Sequence, residues 1–591
     1  WLETVEPQDS AAPYRDWNTR ITQECYRPNA AARIVDGAGR ITRIVNNYAR
    51  ISFNFGPTLL SWLESEAPDV HQAIVEADRQ SLVRFGGHGS AMAQAYNHLI
   101  MPLATRRDKV TQVKWGIRDF EHRFGRRPEG MWLPECAVCV ESLEVLAEQG
   151  IAFTVLAPHQ AARIRRFGGA WLDVSGGSID PGRVYRCVLP SGRTIDLFFY
   201  DGAISRAVAF ERLLNDGSKL AERLRLGGRR DHGEAVLSHI ATDGESYGHH
   251  HRFGEMALAW ALEHLDTDGR HGAPVRLTNY AEFRKLHPAT HEVEIIEHTA
   301  WSCAHGVGRW YEDCGCSSGA HPEWNQAWRR PLREALDWLR DRAADVYEAA
   351  APAVLRDPWA ARDDYIDLVL TRVDRSPGGR AAAEAATAFF ARHATDPLDD
   401  DARRRALERL ELERHVMLMY TSCGWFFDDL SGIETVQILQ YAGRVIELAE
   451  KASGAAIEPD FVDRLSLARS NLLRYGDGRA LWQAQVRPAR LDLRQVVAHY
   501  AVSSLFDAHT GRERVYCYEI QPRDLVTRQA GKAKLAAGSV RCRSLITGEH
   551  TDLSFGALYL GEHHLMGGVR AFPGREVHEE TGIDGEVIEP L

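Results

Sequence analysis

Between about residues 50 and 295, short apolar runs alternate with stretches whose apolar positions recur at helical spacing. Ile51-Ser52-Phe53-Asn54-Phe55 reads as a strand, as do Met131 to Leu133, Ala152 to Leu156, Ile195 to Tyr200, Val236 to Ala241 and Val275 to Leu277. Ser205 to Leu226 and Phe253 to Leu265 carry helical patterns between them. This alternation predicts an α/β unit built on a parallel sheet, open or closed into a barrel. From about 320 to 485 the period becomes purely helical: Leu332, Leu336, Leu339, Ala343 and Val346 share one face, and so do Ile433, Val436, Leu439, Ile446 and Ala449. After about 495 the pattern turns to short strands, at Val515 to Tyr518, Val540 to Leu545, Leu553 to Leu560 and Met566 to Phe572, with Thr547-Gly548-Glu549 as a turn. The expected domains are therefore 1–300, 301–490 and 491–591, and no internal repeat is apparent. The last strands lack an evident capping element, so the β-rich region is expected to be cut short.

Two of the strand-like runs end on a carboxylate. The first is Gly130-Met131-Trp132-Leu133-Pro134-Glu135-Cys136-Ala137. The second is Val236 to Ala241 followed by Thr242-Asp243-Gly244-Glu245-Ser246-Tyr247-Gly248-His249-His250-His251. Residues at the C-terminal ends of the strands in such folds face the active site. Two acids about a hundred residues apart, delivered to one rim, suit glycoside hydrolysis: one protonates the leaving oxygen and the other attacks or assists at the sugar carbon.

Length and charge narrow the partners. A chain of 591 residues exceeds what one growing core accommodates. Its formal net charge of −11 argues against nonspecific nucleic-acid binding and leaves a neutral polysaccharide open. Fifteen Trp include candidates for stacking on sugar rings, although most Trp serve cores and interfaces. No apolar run is long enough to cross a membrane, and no secretory leader is visible. Ten unevenly spaced cysteines do not read as a secreted disulfide framework. The expected location is the cytoplasm.

At the two acid segments the sequence resembles glycoside hydrolase family 57. Trp132-Leu133-Pro134-Glu135-Cys136-Ala137 resembles the family's nucleophile motif, and Asp243-Gly244-Glu245-Ser246-Tyr247-Gly248-His249 its acid/base motif, whose first acid is the proton donor. Gly87 to Leu103, with Asn97-His98, resembles a block near the sugar, and Ser422-Cys423-Gly424-Trp425-Phe426-Phe427-Asp428 an aromatic block that the helical domain gives to the cleft. Trp301-Ser302-Cys303-Ala304-His305-Gly306 and Asp313-Cys314-Gly315-Cys316 resemble a bacterial subgroup with a C-terminal domain of unknown function. The resemblance implies a (β/α)7-type barrel, retaining chemistry and an α-glucan or maltooligosaccharide substrate, processed by amylase, 4-α-glucanotransferase or branching activity. It implies Glu135 as nucleophile and Asp243 as general acid/base, with Trp132, His98, His249, Trp425 and Asp428 binding substrate. No metal and no cofactor are expected in the chain's function, and neither nucleic acid nor a membrane is expected as a partner. The family opens with a His-x-His strand, and nothing like it precedes Trp1, so the barrel is expected to lack its first strand.

Plainer roles compete with each assignment. Glu135 also fits an ion-paired rim carboxylate, and Glu245 competes locally with Asp243. His98 and His249 suit structural hydrogen bonds as well as substrate contact, His250 and His251 suit a solvated loop, and Trp425 suits the core. Asp243 with His249, His250 and His251 also invites a Zn²⁺ reading, which would make the chain a metal-dependent polysaccharide deacetylase on a related barrel. A noncatalytic carbohydrate-binding protein is the third reading. Cys303, Cys314 and Cys316, with His305 or His321, suit either a small zinc site or buried thiols. Cys136-x-x-Cys139 has zinc-like or redox-like spacing, and packing is the expected role.

Overall fold

The computed structural model describes residues 4–227, 235–265, 275–373, 379–507 and 511–572. Short parallel staves form the barrel in chain order. Phe53 bridges Ala91, Ala93–Gln94 pairs with Met131–Trp132, and Gly130 bridges Phe153. Phe153–Leu156 then pairs with Thr194–Phe199. The next stave is Val236 to Ala241, which stays extended without a ladder and is held by the Asp201 N–H donating to the His239 carbonyl at 3.0 Å. Among the described residues no backbone hydrogen bond joins this stave to the one at Phe53. The circuit is therefore open between them. Val275 to Leu277, expected as a strand, joins no ladder among the described residues, and its apolar residues pack in the cluster of Leu258, Leu262 and Leu265.

Helices cover the staves as the pattern requires. Arg106–Phe124 buries Val113, Trp115, Ile117, Phe120 and Phe124, and Pro68–Arg84 buries Val70, Ile74, Val75 and Ala77. The expected helix over 205–226 is broken into Gly202–Phe210 and Gly217–Gly227 by a turn at Leu213–Asn215. Asp201 caps the first piece by accepting from the Ile204 N–H at 3.0 Å. Beyond the barrel, Ala161–Arg166, Leu172–Asp173, Tyr185–Val188 and His291–Ile295 add antiparallel and parallel pairs to the edge of Thr194–Phe199. This arm carries arginine–glutamate cross-strand pairs, Arg163 with Glu294 and Arg165 with Glu292.

The helical region is built on Arg329–Ala350, Asp400–Leu418 and Ile433–Ser453. Its apolar faces merge with the barrel's, so one continuous core runs from Cys25 to Val486. The junction is polar at its centre. Arg362, fully buried, donates to Asp108 at 2.8 Å, to Glu413 at 3.0 Å and to Thr111 at 2.8 Å. The C-terminal region has a separate core. Five antiparallel strands, Glu513–Val515, Tyr518–Ala530, Ala533–Ser544, His550–Gly561 and His564–Ala571, pair in sequence order. The helix Leu493–Ser503 covers one face, placing Val496, Val497 and Tyr500 on Val540, Phe555 and Ala557.

Candidate active site

A cavity of about 1590 Å³ opens at the C-terminal rim of the staves. It descends between Ile51 to Phe55 and Ala235 to Thr242 as far as Phe283 and His287. Glu135, Asp243, His98 and Trp132 all line it.

Glu135 follows the stave Met131–Trp132 on a sharp elbow. Pro134 opens the elbow, and Glu135 and Cys136 both adopt left-handed backbone, with φ of 59° and 50°. Consecutive non-glycine residues there cost about 1–3 kcal/mol each and persist only where the surroundings over-determine them. They do so here. The Trp301 N–H donates to the Glu135 carbonyl at 2.9 Å, the Val138 N–H to Thr299 at 2.9 Å, and the Gln160 amide to the Cys136 carbonyl at 2.7 Å. The Glu135 carboxylate is held as firmly: its Oε2 accepts from Trp301 Nε1 at 2.9 Å and from the Ser302 hydroxyl at 2.5 Å. Its Oε1 has no hydrogen-bond partner among the described residues. Trp132 meets the same Trp301 edge to face, with ring centroids 5.2 Å apart, so the two indoles form one wall beside the carboxylate. Cys136 and Cys139 are buried, and Cys139 Sγ lies 3.1 Å from the Ser142 hydroxyl, which accounts for their spacing by packing.

Asp243 ends the stave Val236 to Ala241 on the facing side. Its carboxyl has no hydrogen-bond partner among the described residues. Asp243 is exposed on the cavity wall, and the mass of protein behind that wall desolvates it, the larger influence on its carboxyl. This desolvation pushes its pKa up to about 7, and the negative charges of Glu245 and then Glu135 add to the shift. Glu245 is committed elsewhere, since the Tyr26 hydroxyl donates to it. The segment around Tyr26 also fixes the loop: Asn29 donates to the Tyr247 carbonyl at 2.8 Å, and Cys25 Sγ lies 3.2 Å from the Gly244 carbonyl.

His98, in left-handed backbone, places Nδ1 2.6 Å from the Ser422 hydroxyl, and its carbonyl accepts the Ser422 N–H at 3.0 Å. Burial lowers its pKa, leaving a neutral ring near pH 7. Thr421, Cys423, Glu434 and Gln437 of the helical region complete this side of the cavity.

Three residues expected at the substrate lie elsewhere. His249 turns away from the cavity and places Nδ1 2.5 Å from Glu24, because the N-terminal segment packs on its loop. Trp425 is 1% exposed and stacks with Tyr420 in the helical core, where an apolar ring is best accommodated. Asp428 is buried and accepts the Ser318 N–H at 2.7 Å and the Ser318 hydroxyl, anchoring a loop instead of a sugar. The histidines after Asp243 also diverge: His251 Nε2 lies 3.0 Å from the Ala209 carbonyl and His249 faces Glu24, so they do not converge with Asp243 on one point. Trp301 and Ser302 were missed as carboxylate partners. Their one signal was their position immediately before the cysteine-rich segment.

Residues 18–296 match the model described as Glycosyl hydrolase family 57. The barrel is a glycosyl hydrolase family 57 domain. Residues 324–585 match a domain of unknown function, DUF3536. Alpha-amylase 1 of Dictyoglomus thermophilum is 28% identical over 106 residues, which are 18% of this chain and 15% of that protein. The chain thus aligns with under a sixth of that relative's length. Among solved structures, an exo-type maltose-forming amylase from Pyrococcus sp. ST04 superposes with a TM-score of 0.57 at 15% identity, covering 82% of this chain and 86% of the other. A branching enzyme of this family from Pyrococcus horikoshii gives 0.45 at 15% identity, covering 78% and 92%. No helix among the described residues is long and apolar enough to cross a membrane.

Proposed function

We propose that this chain is a retaining α-glucan-active enzyme, with Glu135 as nucleophile and Asp243 as general acid/base. The observation that carries the reading is the contrast between two carboxyls on one cavity. Glu135 is oriented by two donors, whereas the Asp243 carboxyl has no hydrogen-bond partner among the described residues and its pKa is pushed up to about 7. Environments that separate two carboxyls in this way assign the acid and the nucleophile. Glu135 Oε1 attacks the anomeric carbon while Asp243 gives its proton to the leaving oxygen. Asp243, now ionised, then takes a proton from water or a sugar hydroxyl, which attacks the glycosyl-enzyme. Trp132 and Trp301 supply a wall for sugar stacking, and neutral His98 a hydrogen-bonding group. The substrate class rests on the family match and the α-amylase relative. A cytoplasmic location is part of the same reading, supported by ten cysteines that form no disulfide with one another.

The test is to incubate the chain with amylose and maltooligosaccharides beside Glu135→Gln and to resolve products by length. Shorter products with new reducing ends identify a hydrolase. Redistributed lengths at constant reducing ends identify a transferase, and new branch points a branching enzyme. Absence of every product across α-glucans would remove the reading.

The raised pKa of Asp243 has a signed consequence. The acid must be protonated, so kcat/KM should fall as pH rises through about 7. Glu245→Gln removes the stronger of the two negative influences on Asp243, so this alkaline limb should move to lower pH. A limb that stays in place or moves up would contradict the assignment. Ser302→Ala removes one of the two donors to Glu135 and should lower kcat/KM about tenfold, the scale of one hydrogen bond to a charged group. Initial rates on maltooligosaccharides provide the check.

A further inference from the structure

The segment that delivers Trp301 and Ser302 to Glu135 continues into a cluster the catalytic reading does not use. Cys303, His305, Cys314 and Cys316 bring one ligand atom each to a common point, all within 4.8 Å of one another. Cys303 Sγ lies 4.0 Å from Cys314 Sγ and 3.8 Å from Cys316 Sγ, and Cys316 Sγ lies 3.5 Å from His305 Nδ1. A tetrahedral zinc ion with metal–sulfur distances of about 2.3 Å has sulfur–sulfur edges of about 3.8 Å, and sulfur–nitrogen edges of about 3.6 Å. These three separations match those edges to within about 0.2 Å. They are far too long for a disulfide, whose sulfurs lie about 2.05 Å apart.

The backbone is shaped for this convergence. One residue separates Cys314 from Cys316; in an extended chain such residues share a face but stand about 7 Å apart, so a turn between them is what brings both thiols to one point. Gly315, at φ +78°, makes that turn with open space around it. Gly306, at φ +75°, turns the chain directly after His305, and a Cβ there would lie 2.4 Å from the His298 carbonyl. His321, the alternative fourth ligand, stacks on Trp324 at 3.7 Å and faces Glu323 at 3.5 Å, so His305 completes the set.

We propose that Cys303, His305, Cys314 and Cys316 bind a structural Zn²⁺ ion that fixes the loop presenting Trp301 and Ser302 to Glu135. Three thiolates and one imidazole select zinc over hard cations. All four positions are filled by protein ligands, so the ion has no open position for substrate or water and acts on the fold. It closes the loop 303–316 at both ends. One end leads within two residues to the donors on Glu135. At the other, the Cys316 carbonyl accepts from Arg329 at 2.8 Å, and Ser318 donates to Asp428. Barrel rim and helical region are thereby joined through one ion.

The experiment is metal analysis of the full chain purified without chelator, beside Cys314→Ser/Cys316→Ser and a Cys423→Ser control. About one zinc per chain is expected in the wild type and the control, and under a tenth of that in the double variant. Because the double variant can fail to fold, the wild type is also stripped of metal and given Co²⁺. Thiolate-to-cobalt charge transfer in the near ultraviolet, with tetrahedral ligand-field bands in the visible, is the expected spectrum, and it is displaced by one equivalent of Zn²⁺. Two outcomes would overturn the proposal. One is a folded wild type with no bound zinc and no such cobalt spectrum. The other is a thiol titration of the unreduced, denatured protein that finds two of the three cysteines oxidised to a disulfide. None of these readouts uses activity, so failure of the glucan reading and failure of the metal site are separable.

Discussion

Glu135→Gln is expected to lower kcat/KM on α-glucans on the order of 10⁴-fold or more while leaving the fold intact. Gln keeps the shape of the side chain, and its amide oxygen still accepts from Trp301 Nε1 and Ser302, so the elbow loses no support. What it lacks is a nucleophile. Losses of this size follow removal of the attacking group from a site whose binding contacts survive, and the residual rate comes from those contacts. Initial rates and a urea melt on the same preparation separate the two effects. A variant within tenfold of wild type would remove Glu135 from the chemistry. One that loses activity only by unfolding would leave it as a rim carboxylate. Glu135→Gly with azide offers a complementary result, because a small anion filling the vacated space should restore turnover and yield a glycosyl azide of inverted configuration.

The second large effect lies at the junction of barrel and helical region. Arg362→Met is expected to destabilise the protein by about 3–5 kcal/mol, since it leaves Asp108 and Glu413 buried without their cation. Burial already pushes the Glu413 carboxyl up to about 7 with Arg362 in place. Without the guanidinium the Glu413 carboxyl rises further above its unfolded value. A raised carboxyl pKa weakens the fold as pH climbs through it, so the penalty should be larger at pH 8 than at pH 5. Urea midpoints at the two pH values provide the check. A loss under 1 kcal/mol, or a larger loss at pH 5, would contradict the account. The double variant Arg362→Met/Glu413→Met should recover part of the loss, because an apolar pair needs no partner. The helix that carries Glu413 leads on to Thr421 in the cavity wall, so the variants should also weaken substrate binding.

The sequence was most legible where one face of an element is buried. The spacing of Leu332, Leu336, Leu339, Ala343 and Val346 described the helix Arg329–Ala350, whose buried face includes those residues. Alternation of short apolar runs and helices marked the barrel, and the carboxylates that end two of those runs marked its rim. Legibility failed where burial is shared or absent. The edge arm was unread although Val293 and Ile295 alternate with Glu292 and Glu294, because its strands are short and pair with residues more than a hundred positions away. Tyr518–Ala530 runs well beyond the expected Val515 to Tyr518, since its far half is largely exposed. In the site, an aromatic block gave no sign of which ring faces sugar. Trp425 lies in the core, while Trp301, two residues from a cysteine, faces the carboxylate. Contacts such as Tyr26 with Glu245 join residues over two hundred positions apart, which no local pattern encodes.

The double displacement is tested most directly by its covalent intermediate. The full chain carrying Asp243→Asn is incubated with an α-maltosyl fluoride, whose leaving group needs no acid but whose glycosyl-enzyme then lacks its base. Proteolysis and mass spectrometry locate the sugar. The account expects the glycosyl group on Glu135, with wild-type product released as the α-anomer. An adduct on another residue such as Glu245, or release of the β-anomer, would contradict it.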